Sequence, residues 1–445
     1  MVDGGVSTAR AWLPILCAAC LSTPPPRQDL ADAALADAAL ADATPTPDAR
    51  PRCELPGATV AFPPPGDLLV VPGAAVDLDC DGRDELILLV RADGIDQPRQ
   101  GVYVIVTATG DAVFLATGAD RPHAVLVEDL GGDAHLDLLV LAGRDTDGDP
   151  RVNELARLLA FEGQAGLGFT PIGAIDLPGN APAPAGDFST LWVTSLDLDG
   201  DAARDLMIAL PRTLLVAELA AWGDAAILDG APAQVGGLTW SGGQMVAFPS
   251  PGQPGFDDLV LNNRLEVHYF RNPGDGSRWT GSQDAQPIPF QGGFLDTRVF
   301  VHMDTDGIPE AVGASKFTQG AQGGMARITN TGKGLHLLAD SLDDEVENVT
   351  DTLAAALDPG TPPDLAVLDK RAAEARLVVR PDLGRFGSDL TTGPARTYVF
   401  QGILPDTLID GDFVPGGGRE IVALSYAGAR QCLVISATSI TLCPP

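Results

Sequence analysis

The chain has 445 residues and carries 60 acidic against 28 basic side chains, a formal net charge of −32. Affinity for nucleic acid comes from Lys and Arg neutralising phosphates, so this balance sets aside nucleic acid and anionic lipid surfaces as partners and favours cations and positively charged surfaces. Gly (51) and Pro (37) are abundant, apolar runs are short and rich in Val, Leu and Ile, and no helical period persists, which predicts an all-β protein.

Residues 1–20 place Arg10 ahead of the short apolar run Ala11-Trp-Leu-Pro-Ile-Leu-Cys-Ala-Ala-Cys20, the pattern of a secretory signal peptide. The run is well short of the roughly 20 residues that span a bilayer. Cys20, preceded by Ala18-Ala19, resembles the lipobox of bacterial lipoproteins, with Cys17 where that motif usually has Leu. The resemblance implies lipidation at Cys20 and an exported protein at the outer membrane or cell surface, touching a membrane only through that anchor. Plain signal cleavage, leaving a secreted or periplasmic protein, is the alternative. Residues 21–52, with Pro24-Pro-Pro26, a run of Ala and Leu interrupted by aspartates, and Thr44-Pro-Thr-Pro-Asp48, offer no face to bury and read as a solvated, disordered tether.

The folded part is expected over residues 53–445. Its organising stretch is Asp77-Leu-Asp-Cys-Asp-Gly-Arg-Asp-Glu-Leu86, with a near twin at Asp197-Leu-Asp-Gly-Asp-Ala-Ala-Arg-Asp-Leu206. Aligning on the last acid and the apolar residue after it gives Glu85, Asp137, Asp205, Asp258, Glu310, Asp364 and Glu420, spaced by 52, 68, 53, 52, 54 and 56 residues. Such a period has room for about four short strands and their turns, and four strands repeated seven times predict a seven-bladed β-propeller. The blade loops fall near 77–86, 129–138, 197–206, 250–259, 302–311, 356–365 and 412–421. Ring closure is expected to set Thr59–Phe62 or Leu68–Val71 beside the outer strands of the last blade, removing an exposed edge. The longer second spacing marks an insertion containing Asp145-Thr-Asp-Gly-Asp149, read as a solvated turn.

Carboxylates at alternate positions of a tight loop can curl onto one point, and hard oxygen donors in that arrangement suit Ca²⁺. The predicted ligands are Asp77, Asp79, Asp81 and Glu85 in the first loop, and Asp197, Asp199, Asp201 and Asp205 in the third. The second offers Asp129, Asp133 and Asp137 around Gly131; the fifth offers Asp304, Asp306 and Glu310, with His302 in place of the first acid. The fourth and sixth have lost their ligands, and their remaining acids, Asp258 and Asp364, are expected to accept backbone N–H bonds within the hairpin. The seventh keeps only Asp412 and Glu420. The calcium is expected to be structural. In the mature domain, hairpin symmetry pairs Cys432 with Cys443 and leaves Cys53 for Cys80, with Cys53 to Cys443 as the alternative.

These repeats resemble the FG-GAP/VCBS family, whose best-known ring is the integrin alpha-chain propeller. The family loop is matched by Asp77, Asp79, Asp81, Gly82, Glu85 and Leu86 and by Asp197, Asp199, Asp201, Asp205 and Leu206, while the Phe-Gly half of the repeat is mostly absent. The resemblance implies a propeller with Ca²⁺ in some hairpin loops and leaves the ligand open. Five scattered histidines, and no zinc, nucleophile-elbow, phosphate-loop or dinucleotide motif, argue against an enzyme. A monomeric protein-binding or adhesion scaffold is the expected role. A lectin-like propeller is the alternative, disfavoured because aromatics make up 5 % of the chain and Trp192, Trp222, Trp240 and Trp279 hold no fixed blade position. A polysaccharide-active enzyme stands further behind.

Overall fold

The structure of the protein is a computed structural model. The described residues are 68–92, 100–107, 111–144, 152–153, 155–178, 183–184, 191–201, 203–210, 213–220, 222, 227–236, 245–251, 253–262, 266–277, 279–281, 285–289, 294–295, 299–301, 310–316, 324–330, 335–340, 349–357, 361–370, 374–386, 389–391, 394–400, 405, 407–413, 419–424, 432–435 and 440–442. The chain divides into two compact units, Met1–Glu54 and Leu55–Pro445. The first, with the expected signal peptide, Cys20 and the whole of the expected tether, lies outside the described residues. All regular structure among them is β-strand, and no helix there is long and apolar enough to cross a membrane.

The second unit is a β-propeller arrangement of small antiparallel sheets, each built from one contiguous stretch of chain in simple meander order. The first sheet comprises Leu68–Val76, Glu85–Ala92, Gly101–Ile105 and Ala112–Ala116. The second comprises Asp120–Glu128, Asp137–Arg144, Leu155–Gln164 and Gly168–Leu177. The third opens with Trp192–Leu196 and Asp205–Leu210, and the fourth with Met245–Pro249 and Asp257–Asn262. In the fifth, both Phe294–Leu295 and Val299–Val301 pair with Glu310–Lys316, giving five strands. The sixth opens with Val349–Ala355 and Asp364–Lys370, and the seventh with Thr407–Gly411 and Glu420–Leu424. Two further strand pairs, Val152–Asn153 with Ala183–Pro184 and Gly384–Phe386 with Asp389–Thr391, sit outside these sheets.

The residue pattern explains the layering. The second strand of a sheet is covered on both faces by neighbouring sheets, so it needs a continuous apolar run rather than alternation. Leu86–Val90, Leu138–Ala142 and Leu206–Leu210 are accordingly buried throughout. Outer strands face solvent on one side, and Gly168–Leu177 mixes exposed and half-buried residues before ending on buried Leu177. Five inter-sheet cores lie among the described side chains, and each draws on two consecutive sheets around the ring. Ile87 and Leu89 of the first sheet meet Leu138 and Val140 of the second; Leu139 and Leu141 meet Leu206 and Ile208; Met207 and Ala209 meet Leu259 and Leu261. Ala366 and Leu368 of the sixth sheet meet Leu408 and Ile421 of the seventh. Ile409, Phe413, Val422 and Leu424 of the seventh pack in turn on Leu86, Leu88 and Val90 of the first, and this contact closes the ring.

One expectation changes, and the insertion can be located. Leu68–Val71 pairs with Leu89–Ala92 inside the first sheet, because its hydrophobic residues continue the strand that ends at Val76; among the described residues it does not pair with the outer strands of the last sheet. Thr59–Phe62 lies outside the described residues. The long second spacing is taken up by a ten-residue third strand, a ten-residue fourth strand and the small added strand pair, while Asp145–Asp149 lies outside the described residues.

Candidate metal centres

Each acidic loop joins the first strand of a sheet to its second, and numbering the loop from its first acid makes the copies comparable. Positions 4 and 6 turn left-handed: Cys80 and Gly82 in the first loop have φ of 58° and 84°, Gly132 and Ala134 in the second 69° and 72°, and Gly200 in the third 80°. Those turns aim successive amide N–H groups at the acid of position 1. Asp77 accepts from the amides of Asp81 (3.0 Å) and Gly82 (2.9 Å), Asp129 from Gly132 (2.6 Å), Asp133 (3.1 Å) and Ala134 (2.9 Å), and Asp197 from Gly200 (2.7 Å). The acid of position 5 accepts from the amide two residues on, as Asp81 does from Arg83, Asp133 from His135 and Asp201 from Ala203.

The acid of position 9, which opens the second strand, reaches back to the amide of position 2. Glu85 accepts from Leu78 at 2.8 Å, Asp137 from Leu130 at 2.9 Å, Asp205 from Leu198 at 3.0 Å and Glu420 from Phe413 at 2.8 Å. This carboxylate therefore has a structural task in each of these four loops, metal or none. Where the other acids are missing, it ties the loop to the turn after the third strand. Asp258 accepts from the Asn272 amide (2.7 Å) and the Tyr269 hydroxyl (2.6 Å), and Asp364 from the Asp382 amide (3.0 Å). The expected backbone N–H partners are present, but they come from the next turn rather than from within the hairpin.

Among the described residues two acidic groups gather enough oxygen for a cation: Asp77, Asp79 and Glu85, and Asp197, Asp199 and Asp201, each offering carboxylate oxygens within 4.8 Å of one another. Both sets are all-oxygen and triply acidic, a donor chemistry that fits a hard divalent ion. Asp81 and Asp205 are not part of those groups. The second loop does not assemble one. All three oxygen-bearing positions are committed to amides, and Asp137 alone accepts from Leu130, Gly131 (3.0 Å) and Gly163 (2.8 Å). The Trp222 indole lies over Gly131, where the first and third loops have Asp79 and Asp199; a Cβ there would come within 3.1 Å of the ring. Asp304 and Asp306 lie outside the described residues, and Glu310 is described only as backbone at the start of its strand.

The electrostatics of the first loop follow from burial. Glu85, 1 % exposed, is pushed up to about 8 by burial, opposed by the Leu78 amide and reinforced by Asp79, Asp77 and Asp81. Burial also raises Asp77, against the Gly82 and Asp81 amides, and raises Asp79 together with the Asp81 charge. Asp137 is raised by burial against its three amide donors. A divalent cation among the first three carboxylates would offset both the lost hydration and the mutual repulsion.

The residue of position 8, which sequence reading passed over, couples neighbouring sheets. The amide of Asp257 donates to the Asp197 carbonyl (2.8 Å), that of Arg419 to Ala356 (3.0 Å) and that of Asp84 to Asp412 (2.7 Å). Asp257 and Asp84 also return a carboxylate, accepting from the amides of Asp197 (2.8 Å) and Asp412 (2.9 Å). Arg204 reaches Glu128 at 2.6 Å and Asp257 at 3.5 Å, so it links the second, third and fourth sheets. The available signal was that position 8 is charged in four of the seven repeats, at Asp84, Arg204, Asp257 and Arg419. The third loop is further held by Asn272, whose Nδ2 donates to the Leu198 carbonyl at 2.8 Å, and by Phe256 against Gly200. Cys80 is exposed; Cys20, Cys53 and Cys443 lie outside the described residues, and Cys432 opens its strand as described backbone only.

No family model matches the sequence, and no curated protein matches it. Solved structures do. An Agrocybe aegerita lectin that recognises non-reducing terminal N-acetylglucosamine is 14 % identical over 74 % of this chain and 80 % of its own, with a TM-score of 0.45. BBS1N in complex with ARL6DN is 12 % identical over 89 % and 95 %, with a TM-score of 0.46. A protein from Lactobacillus plantarum is 12 % identical over 84 % and 94 %, with a TM-score of 0.45.

Proposed function

We propose that this chain is a seven-bladed, calcium-braced β-propeller of the FG-GAP/VCBS type, acting as a non-catalytic protein-binding scaffold of the adhesion kind. On this reading it is exported and held at the cell surface through Cys20. The observation that carries the reading is the recurrence of one oxygen cluster: Asp77, Asp79 and Glu85 in one loop, and Asp197, Asp199 and Asp201 in another, on the same left-handed turns and amide network. Calcium binds the first and third loops and leaves the second and fourth to hold their shape by hydrogen bonds alone. Its role is structural, since the ligands sit on the loops that also join neighbouring sheets. Glu85 and Asp137, whose ionisation is shifted by burial, hold main-chain amides at their loops, which accounts for them without a catalytic role.

The test is a cell-surface pull-down and a glycan array, both run in millimolar Ca²⁺ and in chelator. A protein partner retained in Ca²⁺ and released in chelator supports the scaffold. Reproducible binding to a glycan, with no protein retained, rejects it in favour of a sugar-binding propeller.

A further inference from the structure

The third acidic loop is shaped by a sheet to which it does not belong. Asp197 exchanges two bonds with Asp257 of the fourth sheet: the Asp257 amide donates to the Asp197 carbonyl at 2.8 Å, and the Asp197 amide donates to Asp257 Oδ2 at 2.8 Å. The next carbonyl, that of Leu198, accepts from Asn272 Nδ2 at 2.8 Å. Asn272 is fully buried, and its own amide is fixed on Asp258 Oδ1 at 2.7 Å. The Leu198 side chain lies in the core that also holds Leu259, Leu261 and Phe270 of the fourth sheet. At Gly200, where φ is 80°, the Phe256 ring stands where a side chain would go. The main chain of positions 1, 2 and 4 is thus set from outside the loop, and the carboxylates of Asp197 and Asp199 hang from that main chain.

The first loop stands differently toward the sheet that follows it. Position 8 of the second sheet is Leu136, which has no carboxylate for the Asp77 amide. The counterpart of Asn272 there is Gly163, whose amide donates to Asp137 Oδ1 at 2.8 Å as that of Asn272 does to Asp258. A glycine has no side chain with which to reach the Leu78 carbonyl. The two loops that gather carboxylates therefore differ in one respect that chemistry can read: the third is braced by Asp257 and Asn272, and the residues in those places of the second sheet offer the first loop neither bond. The molecule contains its own control.

We infer that the calcium site of the third loop belongs to two sheets: Asp257 and Asn272 are positioning residues for its ligands, and occupancy of the loop and pairing of the third sheet with the fourth reinforce each other. That reinforcement is reciprocal by linkage, since whatever the brace adds to calcium affinity calcium adds to the brace. The inference rests on calcium binding at the two loops, and the first loop is the uncoupled comparison.

Calcium titration and native-state hydrogen exchange of the full chain test it. In the wild type, calcium should slow exchange in segments 257–262 and 266–272, which supply none of the ligands, by about tenfold or more. Asp199→Ala should abolish that slowing, and Asp79→Ala should leave it. Titrated in the Asp79→Ala background, where only the third loop binds, Asp257→Leu and Asn272→Ala should each weaken calcium by about tenfold, the lower end for a lost outer-shell partner. In the Asp199→Ala background the same substitutions should leave the first loop unchanged. Asp257→Asn, whose Oδ1 still accepts the Asp197 amide, should keep third-loop affinity within about threefold. Equal weakening by Asp257→Leu and Asp257→Asn assigns the effect to charge and overturns the inference, as does a third loop indifferent to both Asp257→Leu and Asn272→Ala. Should those variants not fold, the wild type and Asp199→Ala decide by exchange alone. A wild type that binds both ions while segments 257–262 exchange alike with and without calcium overturns this inference only; one that binds none overturns the calcium reading and the inference with it.

Discussion

Asp79→Asn should have opposite effects on stability with and without calcium. Asp79 sits in the trio with Asp77 and Glu85, whose oxygens lie within 4.8 Å of one another, and accepts the Asp81 amide at 3.1 Å, a bond the Asn carbonyl can keep. At that separation two unit charges repel by about 1 kcal/mol in bulk water and about 3–4 kcal/mol at the effective dielectric of a protein surface. The half-buried setting of Asp77 and Asp79 puts the relief nearer the lower figure, about 1–2 kcal/mol. In chelator the variant should therefore melt higher than the wild type by about 1–4 °C, given that a kcal/mol moves a domain of this size by a few degrees at most. In Ca²⁺ the order should reverse. An ion at a hundred times its dissociation constant stabilises the wild type by about 2.7 kcal/mol, and the variant, one charge short, forgoes much of that. Differential scanning fluorimetry in excess chelator and in about 5 mM Ca²⁺, a concentration chosen to exceed plausible dissociation constants, reads both arms. Melting curves that keep the same order in the two buffers would refute the reasoning.

Other outcomes follow from particular contacts. Gly200→Ala places a Cβ 2.6 Å from the Phe256 ring at a φ of 80°, whereas Gly82→Ala, at 84°, meets nothing within 4 Å. Gly82→Ala should cost about 1–2 kcal/mol, the strain of a left-handed residue, and Gly200→Ala clearly more, as measured by chemical denaturation. Asp351, 5 % exposed, accepts from the Thr407 hydroxyl (2.7 Å) and the Leu408 amide (2.8 Å) of the next sheet. Asp351→Ala leaves both donors buried and should cost about 3 kcal/mol or more in the same assay. His123 is buried, and its Nδ1 lies 2.8 Å from Arg91 Nη1, which can only donate, so the ring is neutral. Burial first, then Arg91 and Arg121, holds its pKa well below 6.5. The unfolded chain thus takes the proton first: the contribution of His123 is complete above about pH 6.5 and drains as pH falls below it, by up to about 1.4 kcal/mol per unit. His123→Gln should flatten the fall in melting temperature between about pH 6.5 and about pH 5; an unchanged slope would count against the neutral ring.

Much of this arrangement could be read from the chain because the repeat has a rigid grammar. The alignment on Glu85, Asp137, Asp205 and their later counterparts located the start of a second strand to within one residue each time, since that acid both caps the loop and precedes an apolar run. The alternating acids of the first and third loops marked the two groups that gather. The second loop shows what its sequence does not: its acids lie apart from the gathering seen in the first and third loops, Asp137 accepts three amides, and Trp222, 91 residues beyond Gly131 in the chain, comes against that glycine. Long-range bonds of that kind leave no local trace. The same holds for Asn272, which braces the loop of a neighbouring sheet, and for Asp84 with Asp412, residues at opposite ends of the described chain. Of the two stretches expected beside the last sheet, Leu68–Val71 went elsewhere for a related reason. Leu68–Val71 has the composition of any strand, and only its register with Leu89–Ala92 shows which sheet it completes.

Native mass spectrometry of the mature chain in Ca²⁺ is the most direct test of calcium at these loops. Two bound ions are expected for the wild type, one for Asp79→Ala, one for Asp199→Ala and none for the double variant. A wild type that retains no calcium, or a double variant that keeps both ions, would contradict the assignment.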